Sequence, residues 1–113
     1  MSVSAQFTTD PNYSLIFRGP TPGSLTGKRF STSLLAANRI FQISNITIDQ
    51  CAAACDIDQE CIGFYFRIDA GGLSTACLAL NNLGTTNGIA TTTNSFSYAK
   101  QVRYCLIQGF HLF

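Results

Sequence analysis

The sequence predicts an α+β domain in which one short helix packs on antiparallel strands and disulfides staple the two together. Three observations indicate this fold. Residues 61–69 alternate in a strand-like pattern, residues 48–57 follow a helix-capping signal, and four cysteines fall within residues 51–77. The length of 113 residues fits one compact domain with a single core.

The first half of the chain contains two predicted strands. The apolar run Tyr13–Phe17 is followed by Gly19–Gly23, a segment of Gly, Pro and Thr, so we predict a strand and then an exposed loop. Residues 39–44 place apolar side chains on both faces of an extended segment and predict a second strand.

A short helix is predicted over Ile48–Ile57. Thr47 is a suitable N-cap and Gln50, three residues later, completes a capping box. Cys51 and Cys55 are four residues apart on this helix. Both thiols therefore leave the same face and can point into one core.

The segment Cys61–Asp69 gives a strong strand signal. Its apolar face, which we expect to pack against the helix, carries Ile62, Phe64, Phe66 and Ile68, and its other face carries Cys61, Gly63, Tyr65 and Arg67. A Gly71–Gly72 turn leads to a returning strand over Ser74–Asn81, which contains Cys77. Ser95–Val102 predicts the final strand.

Three segments together resemble the PAN/apple domain family. They are CAAACDIDQECIGFYFR, TACLALNNLG and SFSYAKQV, and they supply a helix with Cys-x3-Cys, a strand with Cys-x-Gly-Phe, a returning strand with Cys-x-Leu and a late strand with Tyr-x-Lys. The flanking RIFQISNIT and ALNNLGTT look like secreted fungal members. The resemblance implies a PAN/apple-like fold, one short helix on a curved antiparallel sheet, with disulfides joining Cys51 to Cys77 and Cys55 to Cys61.

The resemblance also implies domain limits. Residues 1–103 would form a single PAN/apple-like domain with its core at 39–102, and residues 104–113 an apolar C-terminal tail or an extra strand. Six large apolar side chains fall within those last ten residues. Such a tail can pair with the edge strand of a neighbouring copy, which would build a filament or a ring.

The fifth cysteine, Cys105, departs from the family pattern. Full apple domains add a third disulfide between their two ends, but no cysteine precedes Cys51 to pair with Cys105. Cys105 is therefore either a buried free thiol or part of an intermolecular contact. Together with Phe110 and Phe113 it is a candidate assembly residue.

Cysteine density indicates an oxidising compartment, because four clustered cysteines in a small chain are usually disulfide-bonded. Met1–Gln6 has neither the basic nor the apolar region of a signal peptide. We therefore expect a mature secreted domain, extracellular or in a cell wall, with Met1 added for expression. The sequons at Asn12 and Asn45 are candidate glycosylation sites and fit secretion.

Composition and motifs argue against several function classes. A net charge of +1 is too small for a nucleic-acid surface, and no apolar stretch approaches the roughly 20 residues that span a bilayer. The clustered cysteines lack Cys-x2-Cys zinc spacing, and the loop from Asp56 has Cys61 and Arg67 where a calcium loop needs Gly and Glu. The single histidine, His111, lies in the apolar tail, so we expect no enzyme, metal or cofactor.

Binding is the function class that remains. The resemblance implies contact with proteins or carbohydrates through an exposed sheet face and loops, so we expect a secreted, non-catalytic recognition module with a protein or glycan ligand. Tyr65 and Arg67 project opposite the apolar face, and Tyr98 and Lys100 project similarly from the last strand. These four are candidate binding residues. Alternatively, the tyrosines are half-buried beneath the helix or a loop.

A structural extracellular building block that self-associates into a homo-oligomer or filament is the second function class. Nine phenylalanines in a small chain, the apolar tail and the odd cysteine favour it. Residues 1–48 carry a net charge of +3 and residues 49–69 one of −4. This asymmetry is either an ordinary solvated surface or a self-complementary contact between copies.

Overall fold

The computed structural model describes residues 7–20, 27–69, 74–84 and 88–101. The elements in chain order are β1 (Tyr13–Gly19), β2 (Lys28–Arg29), α1 (Thr32–Asn38), β3 (Arg39–Ser44), α2 (Ile48–Asp56), β4 (Gly63–Ile68), β5 (Thr75–Leu80), β6 (Ile89–Ala90) and β7 (Asn94–Lys100). The predicted turn at Gly71–Gly72 and the assembly candidates Cys105, Phe110 and Phe113 lie outside the described residues. None of the described helices is long and apolar enough to cross a membrane.

Five of the strands form one antiparallel sheet in the order β1-β7-β4-β5-β3, and β2 pairs with β6 in a separate ribbon. The strand β4 is central, because Phe64 pairs with Ala79 on one side and with Tyr98 on the other. The α+β prediction is therefore confirmed, and β3 has the predicted bounds.

The capping box of α2 forms as predicted. The Thr47 hydroxyl accepts from the Gln50 backbone N–H at 3.1 Å, and the Gln50 side chain accepts from the Thr47 N–H at 2.8 Å. These two bonds satisfy donors that an uncapped helix would leave unpaired. The buried side of α2 consists of Ile48, Cys51, Ala52 and Cys55, and it packs against the sheet.

Two disulfides tie α2 to the sheet. Cys51 bonds Cys77 in β5, and Cys55 bonds Cys61 just before β4. Both pairings match those that the resemblance implies. All four sulfurs are in disulfides, so none of them is available as a zinc thiolate.

The expectation of one helix is wrong, because a second helix, α1, covers the other face of the sheet. The Ser31 hydroxyl accepts from the Leu34 N–H at 3.1 Å and caps this helix, which buries Leu35. At seven residues, α1 is too short to show a clear helical period in the sequence. Packing of Leu35 against the sheet, and not the helix propensity of the segment, stabilises α1.

The sheet therefore has a hydrophobic cluster on each face. The cluster under α2 includes Phe64, Phe66 and Ile68 of the predicted inward face. The prediction is wrong for Ile62, which is exposed, and for Cys61, which lies in this cluster, because β4 and its alternation begin only at Gly63. The second cluster consists of Phe17, Phe30, Leu35, Tyr65, Ala76, Leu78 and Leu80. Both faces of β4 are consequently buried.

Candidate functional site

The strand β3 forms one of the two edges of the five-stranded sheet, and β1 forms the other. Along its length β3 pairs with β5 on one side, and no strand among the described residues pairs with its other side. Its last three residues, Gln42 to Ser44, are all exposed. An edge strand of this kind presents free backbone donors and acceptors.

An apolar groove of about 540 Å³ runs beside this edge, between β3 and the C-terminal end of α2. It is lined by Phe41, Ile43, Ala54, Ile57, Asp58 and Gln59. Four of these six residues are apolar, and the two polar ones, Asp58 and Gln59, lie at the end formed by the turn that follows α2.

Two isoleucines give the groove its exposed apolar surface. Ile57 is 86% exposed and Ile43 is 37% exposed, although both side chains are large and apolar. Ile57 caps α2: its backbone N–H donates to the carbonyl of Ala53, and the next N–H, that of Asp58, donates to the carbonyl of Cys55. The fold thus fixes the backbone that presents Ile57 to solvent.

The turn after α2 makes one end of the groove acidic. Asp58 lines the groove, and its carboxylate accepts from the backbone N–H of Glu60 at 2.9 Å. The one ion pair among the described residues joins Arg67 to Asp69, so no basic side chain of that part of the chain pairs with the carboxylates of Asp58 and Glu60. This end of the groove favours a positively charged partner group.

The predicted binding residues do not form one surface, because they lie on opposite faces of the sheet. Tyr65 is 2% exposed in the cluster with α1, and Tyr98 is 3% exposed in the cluster under α2. The expectation that both tyrosines project from similar exposed faces is therefore wrong. The structure agrees with the alternative, in which other elements cover the tyrosines, and it buries both side chains almost completely.

The two basic candidates are also separated and engaged. Arg67 is partly exposed, and its Nε donates to Asp69 at 2.8 Å. Lys100 donates from Nζ to the backbone carbonyl of Cys55 at 2.9 Å, at the last turn of α2. Lys100 therefore anchors the end of β7 to the helix.

Both candidate glycosylation sites lie next to turns. Asn45 is exposed in the loop between β3 and α2, where its φ of 63° is left-handed, a conformation that Asn tolerates better than most residues. Asn12 is partly exposed just before β1. Whether either carries a glycan stays a prediction.

Sequence reasoning missed the groove itself. Phe41 and Ile43 were expected to fill one face of an ordinary strand, and Ile57 to end the helix. One signal was present, since Ile57 is a large apolar residue between Asp56 and Asp58 in an acidic turn. Nothing in the sequence showed that this turn would lie beside β3.

Known proteins give no independent guide to this site. Comparison with protein-family models, curated proteins and solved structures finds no match for this chain. The groove and the adjoining edge of β3 must be interpreted from their own chemistry.

Proposed function

We propose that the chain is a secreted, non-catalytic recognition module that binds an extended segment of a protein partner along β3 and the groove beside it. The observation that carries this proposal is the exposed edge strand lying next to exposed Ile43 and Ile57. Strand addition is a common mode of peptide recognition, in which backbone bonds supply affinity and side-chain pockets supply specificity.

The bound segment would act as a sixth strand of the sheet. Its backbone would pair with the outer side of β3, and every second side chain would enter the groove because strand side chains alternate between faces. Covering a side chain such as Ile57 contributes about 1.5–3 kcal/mol. Apolar residues at alternate positions are therefore the expected sequence of the partner.

The acidic end of the groove adds a charge preference. Asp58 and Glu60 favour a partner with Lys or Arg flanking its apolar positions. Since both carboxylates are near the surface, this contribution acts on specificity and association rate more than on affinity.

A protein partner is favoured over a carbohydrate. Sugar binding by stacking needs an exposed aromatic face. Phe7 is 57% exposed, but its ring carries no polar group to bind a sugar hydroxyl and it packs edge-on against Phe96. The described tyrosines, Tyr13, Tyr65 and Tyr98, are all buried. Carbohydrate binding through these residues would require the clusters to open.

Secretion and PAN/apple membership are part of the same proposal. Two disulfides in a small chain are typical of oxidising compartments, and the sequons at Asn12 and Asn45 fit that location. The disulfide pairing and the packing of α2 on an antiparallel sheet support the PAN/apple resemblance. Because four cysteines are held in disulfides, they supply no nucleophile, which supports a non-enzymatic role.

Selection from a displayed library of random dodecapeptides on the immobilised full-length protein tests this proposal. We expect selected peptides to alternate apolar residues and to carry a basic flank. A groove variant, Ile43→Ser with Ile57→Ser, should weaken their binding by about tenfold or more.

The matched control is Ile89→Ser, which removes an isoleucine of the same 37% exposure as Ile43 from the separate β2–β6 ribbon. It should bind the selected peptides normally. Equal binding by the groove variant, or binding to a glycan array that is insensitive to both isoleucines, would contradict the proposal.

A further inference from the structure

We infer that the groove binds residues 102–113 of a second copy of the same chain, so that the protein assembles head to tail. This inference rests on the proposed strand addition at β3 and names its partner. The added claim is that one chain contains both contact surfaces, the groove beside β3 and the segment 102–113 that binds in it.

The sequence of residues 102–113 fits the chemistry of the groove. In VRYCLIQGFHLF the large apolar side chains of Tyr104 and Leu106 alternate with Arg103 and Cys105, as a strand on an apolar groove needs. The segment contains one Arg and one His and no acidic residue. Its charge is therefore complementary to the acidic end of the groove.

The direction of the strands favours a second copy over the same copy. The strands from β7 to β3 are joined by successive antiparallel pairs, so β7 runs opposite to β3. The last residue of β7, Lys100, and the first residue of β3, Arg39, lie at the same end of the strands. The register shows this, because Gly63 pairs with both Ala99 and Leu80, and Leu80 in turn pairs with Arg39. A segment that leaves β7 and turns back would therefore run parallel to β3.

Antiparallel addition within one copy would use most of the segment. The chain would have to pass four strand spacings and the length of β3, about 28 Å in a straight line, which takes about eight extended residues. Only about four of the twelve residues 102–113 would then remain to pair. A second copy can present all twelve in the antiparallel direction, which is the more stable pairing and the one used throughout this sheet.

The resulting contact is heterologous. Each copy has one groove on β3 and one segment 102–113, and these are different surfaces. Repeated addition therefore gives open chains, or rings if the rotation closes. The excess of basic residues in 1–48 and of acidic residues in 49–69 is compatible with such ordered contacts.

Sedimentation velocity of the full-length chain over a broad concentration range tests the inference. All proteins would carry Cys105→Ser, so that disulfide-linked multimers do not contribute. We expect the parent to show a mean mass that rises with concentration. The groove variant (Ile43→Ser, Ile57→Ser) and a segment variant, Phe110→Asp with Leu106→Asp, should each need at least about tenfold higher concentration to associate.

Mixing the two variants is the decisive measurement. The groove variant retains an intact segment and the segment variant retains an intact groove, so the mixture should form heterodimers that do not grow further. Ile89→Ser should assemble as the parent does. A monomeric parent, association that both variants retain, or a mixture that stays monomeric would overturn the inference.

The selected dodecapeptides separate this inference from the proposed function. If the parent is monomeric and still binds them through Ile43 and Ile57, self-association is wrong and strand addition stands. Suppose that the parent is monomeric and that the Phe110→Asp, Leu106→Asp variant binds the peptides more tightly than the parent does. The segment then covers the groove of its own copy, and the second-copy assignment is wrong. If no peptide depends on the groove residues, the proposed function is wrong.

Discussion

Phe64 and Tyr65 are consecutive residues of β4, yet their side chains lie in different hydrophobic clusters on opposite faces of the sheet. Phe64 is fully buried beside Tyr13 and Tyr98, with ring centroids 5.1 Å away in both pairs. Tyr65 packs on the other face, where the guanidinium of Arg29 lies 5.7 Å from its ring centroid. The central strand thus supports two cores.

Both residues are therefore expected to be essential for stability. Phe64→Ala and Tyr65→Ala should each lower the free energy of unfolding by about 3–5 kcal/mol, because a large aromatic side chain leaves a cavity that the packed sheet cannot close. Urea denaturation followed by circular dichroism measures both. Arg67→Ala, at a partly exposed position of the same strand, should cost less than about 1 kcal/mol. A neutral Tyr65→Ala would show that the second core contributes little.

The inward face of β4 was predictable because alternation is a local signal. Phe64 and Phe66 alternate with smaller or polar residues, and this period of two is set by the strand alone. The burial of Tyr65 depends instead on Phe30 and Leu35, which arrive from a distant part of the chain. A sequence pattern that marks one face as apolar does not show whether another layer covers the opposite face.

The helix α2 and the disulfides were predictable for a related reason. Thr47 and Gln50 cap the helix locally, and the cysteine spacing in the resemblance implied the pairing. The groove was not predictable, because it forms where Ile57 meets Ile43 across two elements that the chain reaches separately. Sites made by tertiary contact leave only weak traces in a single sequence.

The two disulfides should stabilise the protein unequally. Cys51–Cys77 closes 26 residues and Cys55–Cys61 closes six. The loop-entropy relation gives about 3.5 kcal/mol for the first and about 2 kcal/mol for the second. Replacing each pair by Ala and measuring the free energy of unfolding checks this order. A larger loss from the short loop would mean that packing around Cys55 and Cys61, and not chain entropy, dominates.

Gly63 is expected to tolerate no side chain. A Cβ at this position would lie 2.5 Å from the carbonyl oxygen of Tyr98 and 2.9 Å from a methyl carbon of Leu83. Since the nearest atom belongs to the backbone of β7, the strands would have to separate. Gly63→Ala should therefore destabilise the fold by about 1–3 kcal/mol in thermal or chemical denaturation.

Gly27→Ala provides the comparison. Gly27 has a left-handed φ of 71°, and beyond its chain neighbours no atom of the described residues lies within 4 Å of its added Cβ. Its replacement should cost only conformational strain, about 1–2 kcal/mol. Normal stability of Gly63→Ala would contradict the close approach of β4 and β7.

The N-terminal segment is held to α2 through the carboxylate of Asp49. This carboxylate accepts from the Thr8 hydroxyl at 2.6 Å, the Thr9 backbone N–H at 2.8 Å and the Thr9 hydroxyl at 3.0 Å. The hydrogen bond from Thr8 is the main cause that lowers the pKa of Asp49, and the bonds from Thr9 add to it. All three bonds favour the ionised form.

The carboxyl of Asp56 behaves in the opposite way. Burial is the main cause that raises its pKa, and a hydrogen bond with the neighbouring Asp10 adds to the effect. The hydroxyl of Tyr13 donates to Asp56 at 2.8 Å and partly offsets this rise. Asp49 and Asp56 therefore lie on one helix with pKa shifts of opposite sign.

These shifts predict opposite effects of pH on the two Asn variants. A lowered folded pKa means that Asp49 contributes stability above its unfolded pKa, near 4, and loses it as the pH falls through the folded value. At neutral pH the free energy of unfolding of Asp49→Asn should thus be lower than that of the parent by up to about 1 kcal/mol. In acid the two free energies should approach each other.

Asp56 has a raised folded pKa, so its contribution is present in acid and is lost as the pH rises through the folded value. The free energy of unfolding of Asp56→Asn should therefore improve relative to the parent as the pH increases from acid to neutral. Urea unfolding of the parent and both variants at closely spaced pH values measures the two differences. The parent is the common reference, and the difference for Asp56→Asn reports Asp56 together with Asp10, to which it is hydrogen-bonded. If the stability advantage of the parent over Asp49→Asn fails to grow as the pH rises, the Thr8 and Thr9 hydrogen bonds do not hold Asp49 ionised. If the advantage of the parent over Asp56→Asn grows with pH, the pKa of Asp56 is not raised.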